Sequence, residues 1–182
     1  TGPAQTLTCA LPNATLNGNG SSTGNNFTYE WTFTSGGNII GGATTLTPVV
    51  DKPATYTLVV TNSTNGCSSS NSVLVGEDIA KPNAIIAPPN LLSCVNNTVT
   101  LNGSGSTPAG NLSYAWTTVI GNIQSGQTSA NATVNQSGQY TLVVTNNTNG
   151  CSSSATVQVT QDNSVPIAST AVTGGLDCVT QQ

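Results

Sequence analysis

Apolar and polar positions alternate with a period of two through most of this chain. Leu112, Tyr114 and Trp116 fall on one face of a run whose other face is Ser113, Ala115 and Thr117; Tyr140, Leu142 and Val144 alternate with Thr141, Val143 and Thr145. Side chains a residue apart point to opposite faces of a strand, so each run reads as a half-buried β-strand. The same pattern recurs upstream. Tyr56 to Ser70 reads YTLVVTNSTNGCSSS and Tyr140 to Ser154 reads YTLVVTNNTNGCSSS, one position apart in identity and 84 residues apart in sequence (140 − 56). Each copy is a strand, an Asn-Gly turn where positive φ is tolerated, a cysteine and the start of a return strand.

The remaining elements align in the same order. TGPAQTLTC at the start matches IAPPNLLSC at Ile86 to Cys94, and Asn13 to Gly18 matches Asn97 to Gly103. Polar Gly/Ser/Asn loops follow, at Asn19 to Asn26 and Gly103 to Asn111. The strands Phe27 to Phe33 and Leu112 to Thr118 come next, each carrying a tryptophan. Shorter strands are predicted at Asn38 to Ile40 and Leu46 to Val50, with partners at Asn122 to Gln124 and Ala130 to Val134. Return strands are predicted at Ser72 to Val75 and Ala155 to Thr160. Pro166 to Gln182 copies Pro82 to Thr98, the beginning of a third repeat. The expected organisation is therefore repeat one at 1–79, without the strand that Pro82 to Ile85 supplies in repeat two, repeat two at 80–163, and a third repeat begun at 164–182. Seven or so short strands per repeat, with no amphipathic helical stretch, predict an all-β chain of two-sheet sandwiches. The expected cores centre on Trp31, Tyr56 and Leu58 in one repeat and Trp116, Tyr140 and Leu142 in the other.

Composition narrows the chemistry. Two Lys/Arg and six Asp/Glu give a net charge of −4, and charged residues make up 4% of the chain against about 25% in an ordinary domain. A chain so poor in cations has no electrostatic footprint for nucleic acid or anionic lipid, and no apolar run approaches the roughly 20 residues of a helical membrane span. There is no histidine, so a Ser-His or Cys-His pair cannot be built, and an enzyme is not expected.

Five cysteines stand at 9, 67, 94, 151 and 178, too far apart in sequence for a zinc motif. Their spacing repeats (67 − 9 = 58, 151 − 94 = 57), which leads to an expected disulfide within each repeat, Cys9–Cys67 and Cys94–Cys151, with Cys178 unpaired. Disulfides persist in oxidising compartments, so an extracellular location is expected. The acids that follow each repeat, Glu77-Asp78 and Asp162, form the candidate set for an interdomain calcium ion. The simpler reading is that Asp78 and Asp162 cap a turn, and no cofactor is otherwise expected.

At Ser137-Gly-Gln-Tyr140-Thr-Leu142 the chain resembles the immunoglobulin-type corner, where a Gly precedes a Tyr and a Cys follows two residues on. Here Leu142 and Leu58 take that cysteine's place. The succession TVTLNGSGS, LSYAW, SGQYTLVVTN is similar to PKD-type domains, although the acidic stretch that often follows the family's Trp is replaced by Thr32 to Gly36 and Thr117 to Gly121. With NGC before the last strand and an acid-then-proline linker, the repeats resemble those of large surface proteins of Bacteroidota exported by the type IX route. That resemblance implies a secreted stalk, filament or adhesin whose partners are neighbouring repeats, other copies of itself, or a surface glycan or protein. Two accounts of the ragged ends stay open: residues 1–182 are a window on a longer array, or residues 166–172 fill the missing first strand in another copy.

Overall fold

The computed structural model describes residues 5–171 of the chain. Cys178, and the third repeat from residue 172 on, lie outside the described residues. All regular structure among them is β (15 strands). In the first repeat β1 (Gln5–Thr8), β2 (Ala14–Thr15), β3 (Phe27–Phe33), β4 (Ile39–Gly41), β5 (Val49–Val50), β6 (Ala54–Asn62) and β7 (Ser68–Asp78) form two sheets, ordered β1-β7-β6-β3 and β2-β5-β4. In the second, β8 (Leu92–Ser93), β9 (Val99–Asn102), β10 (Leu112–Thr118), β11 (Ile123–Ser125), β12 (Asn131–Val134), β13 (Gly138–Asn146), β14 (Ser152–Val159) and β15 (Gln161–Asp162) repeat that plan. There β10-β13-β14 continues through β15 to β8, opposite β11-β12-β9.

The alternation read from the sequence is what packs the two sheets. β13 buries Tyr140, Leu142 and Val144 while Thr141, Val143 and Thr145 stay half exposed. Each repeat has its own core: Leu16, Trp31, Val50, Tyr56 and Leu58 in the first, and Leu101, Trp116, Val134, Tyr140 and Leu142 in the second. The buried indoles are not left with an orphan donor, since Trp31 Nε1 donates to Thr45 O at 2.8 Å and Trp116 Nε1 to Ser129 O at 3.0 Å. Where β6 and β13 begin, Tyr56 Oη donates to Lys52 O and Tyr140 Oη to Gln136 O, both at 2.7 Å. Each hydroxyl also accepts a backbone N–H across the corner, from Asn38 and Asn122 at 3.0 Å. Strand order, core tryptophan and corner tyrosine together make these immunoglobulin-like sandwiches.

The first strand of each sandwich runs parallel to the last: β1 pairs β7 with Thr8 opposite Asp78, and β8 pairs β15 with Ser93 opposite Asp162. This register overturns the expected disulfides. Cys67 precedes β7 and Cys9 sits at its far end, so the 11-residue strand holds them roughly 33 Å apart. A disulfide needs Cα atoms within about 7 Å. The same geometry separates Cys94 from Cys151. The bond that forms is Cys9–Cys151, across the repeats, with Cα atoms 5.0 Å apart, and Cys67 and Cys94 are free, exposed thiols.

Pro82 to Ile85, expected as a strand, makes only one antiparallel bridge, Asn83 to Thr107, and with residues up to 87 forms an irregular segment. Pro82, Pro88 and Pro89 have no N–H to offer a ladder. The amides of Ala84 and Ile85 donate to side chains, Ser153 Oγ and Ser106 Oγ, both at 3.1 Å. The segment still packs Ala84 and Ile86 against the second core.

Candidate functional site: the joint between repeats

Each sandwich projects its last hairpin turn at the end opposite to the one where β1 or β8 stops. In the second repeat the turn from Asn146 to Cys151 closes with Gly150 N donating to Asn146 O at 2.7 Å and Asn146 N to Cys151 O at 2.8 Å. Asn149 Oδ1 accepts Cys151 N at 2.9 Å. The first-repeat turn is built alike: Gly66 N to Asn62 O at 2.8 Å, Asn62 N to Cys67 O at 2.8 Å, and Cys67 N to Asn65 Oδ1 at 3.0 Å. Two turns that differ only at Ser63 and Asn147 therefore share one hydrogen-bonding geometry, and their surroundings set them apart. Asn149 and Cys151 are each 1% exposed, whereas Asn65 and Cys67 lie open to solvent.

What buries the second turn is the far end of the first sandwich. Asn149 Nδ2 donates to Asp78 Oδ1 and to Ala80 O, both at 2.9 Å, and Ala10 N donates to Asn149 O at 3.1 Å. With its own Oδ1 held by Cys151 N, the Asn149 amide uses both donors and its acceptor, which is what a fully buried amide requires. Gly150, at φ 72°, sits so close that a Cβ there would lie 2.5 Å from the Ala10 Cβ. Cys9–Cys151 locks the arrangement covalently. Sequence reasoning found these residues singly but not their meeting. The signal for it lay in the NGC triplet beside each turn and the acid that ends each last strand.

The acids do not gather. Asp78 serves the joint, and its Oδ1 also accepts Ala80 N at 3.3 Å. Asp162, at the equivalent place after repeat two, instead binds Ser164 through N at 2.9 Å and Oγ at 2.6 Å, and these bonds hold its carboxyl below the ordinary aspartate range. Glu77 is exposed. Among the described residues no three His, Cys, Asp or Glu side chains come together in a way that could hold a metal ion.

A second feature lies on the first repeat alone: a groove of about 540 Å³ between the 19–22 loop and β7, lined by Ser21, Ser22, Phe27, Val60, Cys67 and Ser69 among others. It is open at the position where residues 83–87 lie in repeat two. Ser106, the counterpart of Ser21, is buried there and accepts Ile85 N; Ser153, the counterpart of Ser69, accepts Ala84 N. Val144 is fully buried, whereas its counterpart Val60 is only half-buried.

No protein-family model matches the chain, and no curated protein matches it. Solved structures do. They include the three N-terminal domains of the bacteriophage RB49 highly immunogenic outer capsid protein (21% identity, 78% of this chain and 51% of that one, TM-score 0.41). The N-terminal four Ig domains of Dscam1 isoform 1.9 also match (14% identity, 87% and 43%, TM-score 0.36), as does a chimeric titin Z1Z2 tandem (13% identity, 87% and 94%, TM-score 0.34). The chain spans 43% of the Dscam1 fragment and 59% of the matched Drosophila OTK extracellular domains.

Proposed function

We propose that this chain is a non-enzymatic, extracellular structural segment, in which immunoglobulin-like repeats at 1–79 and 80–163 are joined end to end as the stalk or filament of a secreted bacterial surface adhesin. The observation that carries the reading is the covalent joint. A flexible linker would let two sandwiches swing, whereas here a disulfide, a buried amide with both donors used, and a close-packed glycine fix one end of the first repeat to the opposite end of the second. Such a joint transmits load and orientation along an array, which suits a spacer better than a catalyst. The disulfide also supports an oxidising compartment outside the cell. The acid-then-proline linker and the NGC turn support an origin among the large exported surface proteins of Bacteroidota.

The test is solution scattering of the oxidised chain with Cys67, Cys94 and Cys178 replaced by serine, so that only Cys9–Cys151 can form, and of the same chain with Cys9→Ser and Cys151→Ser as well. Two sandwiches, each roughly 33 Å long as the 11-residue β7 sets for the first, give in series a rod of roughly 65–70 Å. The chain that keeps Cys9–Cys151 is expected to show that single length, and the chain without it a broader distribution of distances. Identical profiles, or a compact side-by-side particle, would rule out the rod.

A further inference from the structure

The joint has two halves, and each repeat owns both. The lower half in repeat one is Cys9, Ala10, Asp78 and Ala80; its counterpart in repeat two is Cys94, Val95, Asp162 and Ser164. The upper half in repeat two is Asn149, Gly150 and Cys151; its counterpart in repeat one is Asn65, Gly66 and Cys67. One lower half and one upper half meet inside the chain. The other two are left open, both with free, exposed thiols. The open turn already has the geometry of the occupied one, with Gly66 at φ 73° against 72° for Gly150. Apolar side chains accumulate around the open lower half: Val95 is 89% exposed, Val165 81% and Ile167 94%.

The groove on repeat one supplies an independent indication. In repeat two the equivalent slot is filled by the chain that leads in from the joint, residues 83–87. The counterpart of that segment after repeat two is 167–171, which belongs to no strand, pairs with none among the described residues and is exposed throughout. Ala168 stands where Ala84 stands, one of the two residues of the segment that pack on the core; the other, Ile86, is replaced by Thr170. The face of repeat two that carries Cys94, Asp162 and this exposed segment therefore corresponds to the half of the joint that carries Cys9 and Asp78, with Val95 and Ser164 in place of Ala10 and Ala80, and it complements the face of repeat one that carries Cys67, Asn65 and the open groove.

We infer that copies of this chain join head to tail by repeating their internal joint, with Cys94 of one copy bonded to Cys67 of the next and residues 166–171 of the first laid into the groove of the second. The inference rests on the rod reading and names the rod's partner as a second copy of itself. The bond forms by thiol–disulfide exchange. A low-molecular-weight disulfide such as oxidised glutathione accepts the two electrons and two protons, so that two cysteine thiols and one glutathione disulfide become one protein disulfide and two glutathione thiols. Asp162 exchanges Ser164 for the Asn65 amide, as Asp78 is held by Asn149. Docking within the joint sets the effective concentration of the two thiols, as it does for Cys9 and Cys151.

The experiment uses the full chain carrying Cys178→Ser, purified reduced and then oxidised with glutathione. The expected products are a ladder of dimers and longer oligomers on non-reducing gels, collapsing with reductant, and a Cys67–Cys94 peptide by mass spectrometry. In that background Cys67→Ser alone and Cys94→Ser alone stay monomeric, and an equal mixture of the two stops at dimer. Ala168→Asp, which puts a carboxylate against the groove floor, slows the ladder at least tenfold while Cys9–Cys151 forms normally. Monomers whose Cys67 and Cys94 carry only glutathione, or symmetric Cys67–Cys67 links, would overturn the assembly, and an unchanged rate in Ala168→Asp would overturn the strand insertion. Monomers that keep Cys9–Cys151 and the scattering length of a rod would overturn assembly and leave the rod intact; loss of that length would overturn the rod itself.

Discussion

Asn149 donates to Asp78 across 2.9 Å although 71 residues and a repeat boundary separate them. Asn65 occupies the same place in a turn that differs only by Ser63 for Asn147, and among the described residues it reaches no other repeat. The pair is thus a built-in control for what the joint contributes. Removing a buried, fully bonded amide leaves partners without a mate and costs roughly 1–3 kcal/mol. Asn149→Ala is expected to make Cys9–Cys151 easier to reduce, lowering its exchange equilibrium against glutathione by roughly 5- to 150-fold at about 1.4 kcal/mol per tenfold. Asn65→Ala, which loses the same bond within the turn but none across repeats, should leave that equilibrium nearly unchanged. Equal effects from the two would mean that the turn, not the contact with Asp78, governs the bond.

The two turn glycines make a second matched pair. Both lie in the left-handed region, so alanine at either strains the backbone by roughly 1–2 kcal/mol. Only at Gly150 does the new methyl also meet another repeat, 2.5 Å from Ala10 Cβ; at Gly66 nothing lies within 4 Å. Gly150→Ala is expected to reduce the yield of Cys9–Cys151 on oxidation several-fold, and Gly66→Ala to lower the stability of its own hairpin without changing that yield. Mass spectrometry of the oxidised chains reads both.

The sandwiches were legible in the sequence because their signal is local. The alternation of Tyr140, Leu142 and Val144, and the tryptophans at 31 and 116, depend only on which face of a strand is buried. The disulfide was not legible, for a reason built into repetition. Cys9–Cys67 and Cys9–Cys151 differ by one repeat length, 84 residues, and a periodic pattern is blind to a shift by a whole period. Strand length would have separated them. With the return strand read as Ser72 to Val75, Cys9 and Cys67 look close; the observed Ser68–Asp78 strand carries them to opposite ends of the sandwich. The groove escaped notice because Ser21, Val60 and Ser69 are unremarkable singly, and only the burial of their counterparts Ser106, Val144 and Ser153 or their bonds to residues 83–87 mark the slot as a place for a strand.

Asp162 gives a prediction for pH. Its carboxylate accepts the Ser164 hydroxyl and amide, and both bonds favour the charged form, so its pKa in the folded chain is lowered. A depressed carboxyl stabilises the fold above its unfolded pKa and loses that contribution as the pH falls through the folded one. Ser164→Ala removes the hydroxyl bond and keeps the amide bond, and is expected to move the Asp162 titration part of the way up toward the ordinary value. Carboxyl chemical shifts followed by NMR across the acid range report it directly. A titration unmoved by the substitution would mean that the serine hydroxyl does not hold the carboxylate in solution.

The corner tyrosines offer the sharpest comparison of the two repeats as independent folds. Tyr56 and Tyr140 are both fully buried, and each hydroxyl donates to a carbonyl four residues back while accepting an amide across the corner. Phenylalanine keeps the ring and removes only the oxygen. The backbone amide of Asn38 or Asn122 then loses its acceptor and the carbonyl of Lys52 or Gln136 its donor; both asparagines are exposed, so water replaces part of what is lost, and the cost is roughly 0.5–1.5 kcal/mol at each site. Because Trp31 and Trp116 belong to separate cores, Tyr56→Phe and Tyr140→Phe are each expected to lower the denaturant midpoint of one core only. The readout is tryptophan fluorescence in the Trp116→Phe and Trp31→Phe backgrounds, under reducing conditions that release Cys9–Cys151. Under oxidising conditions the joint should couple the cores, so that either substitution moves both transitions. If each substitution lowers both midpoints equally even after reduction, the repeats do not fold as separate units, and the joint's hydrogen bonds alone couple them.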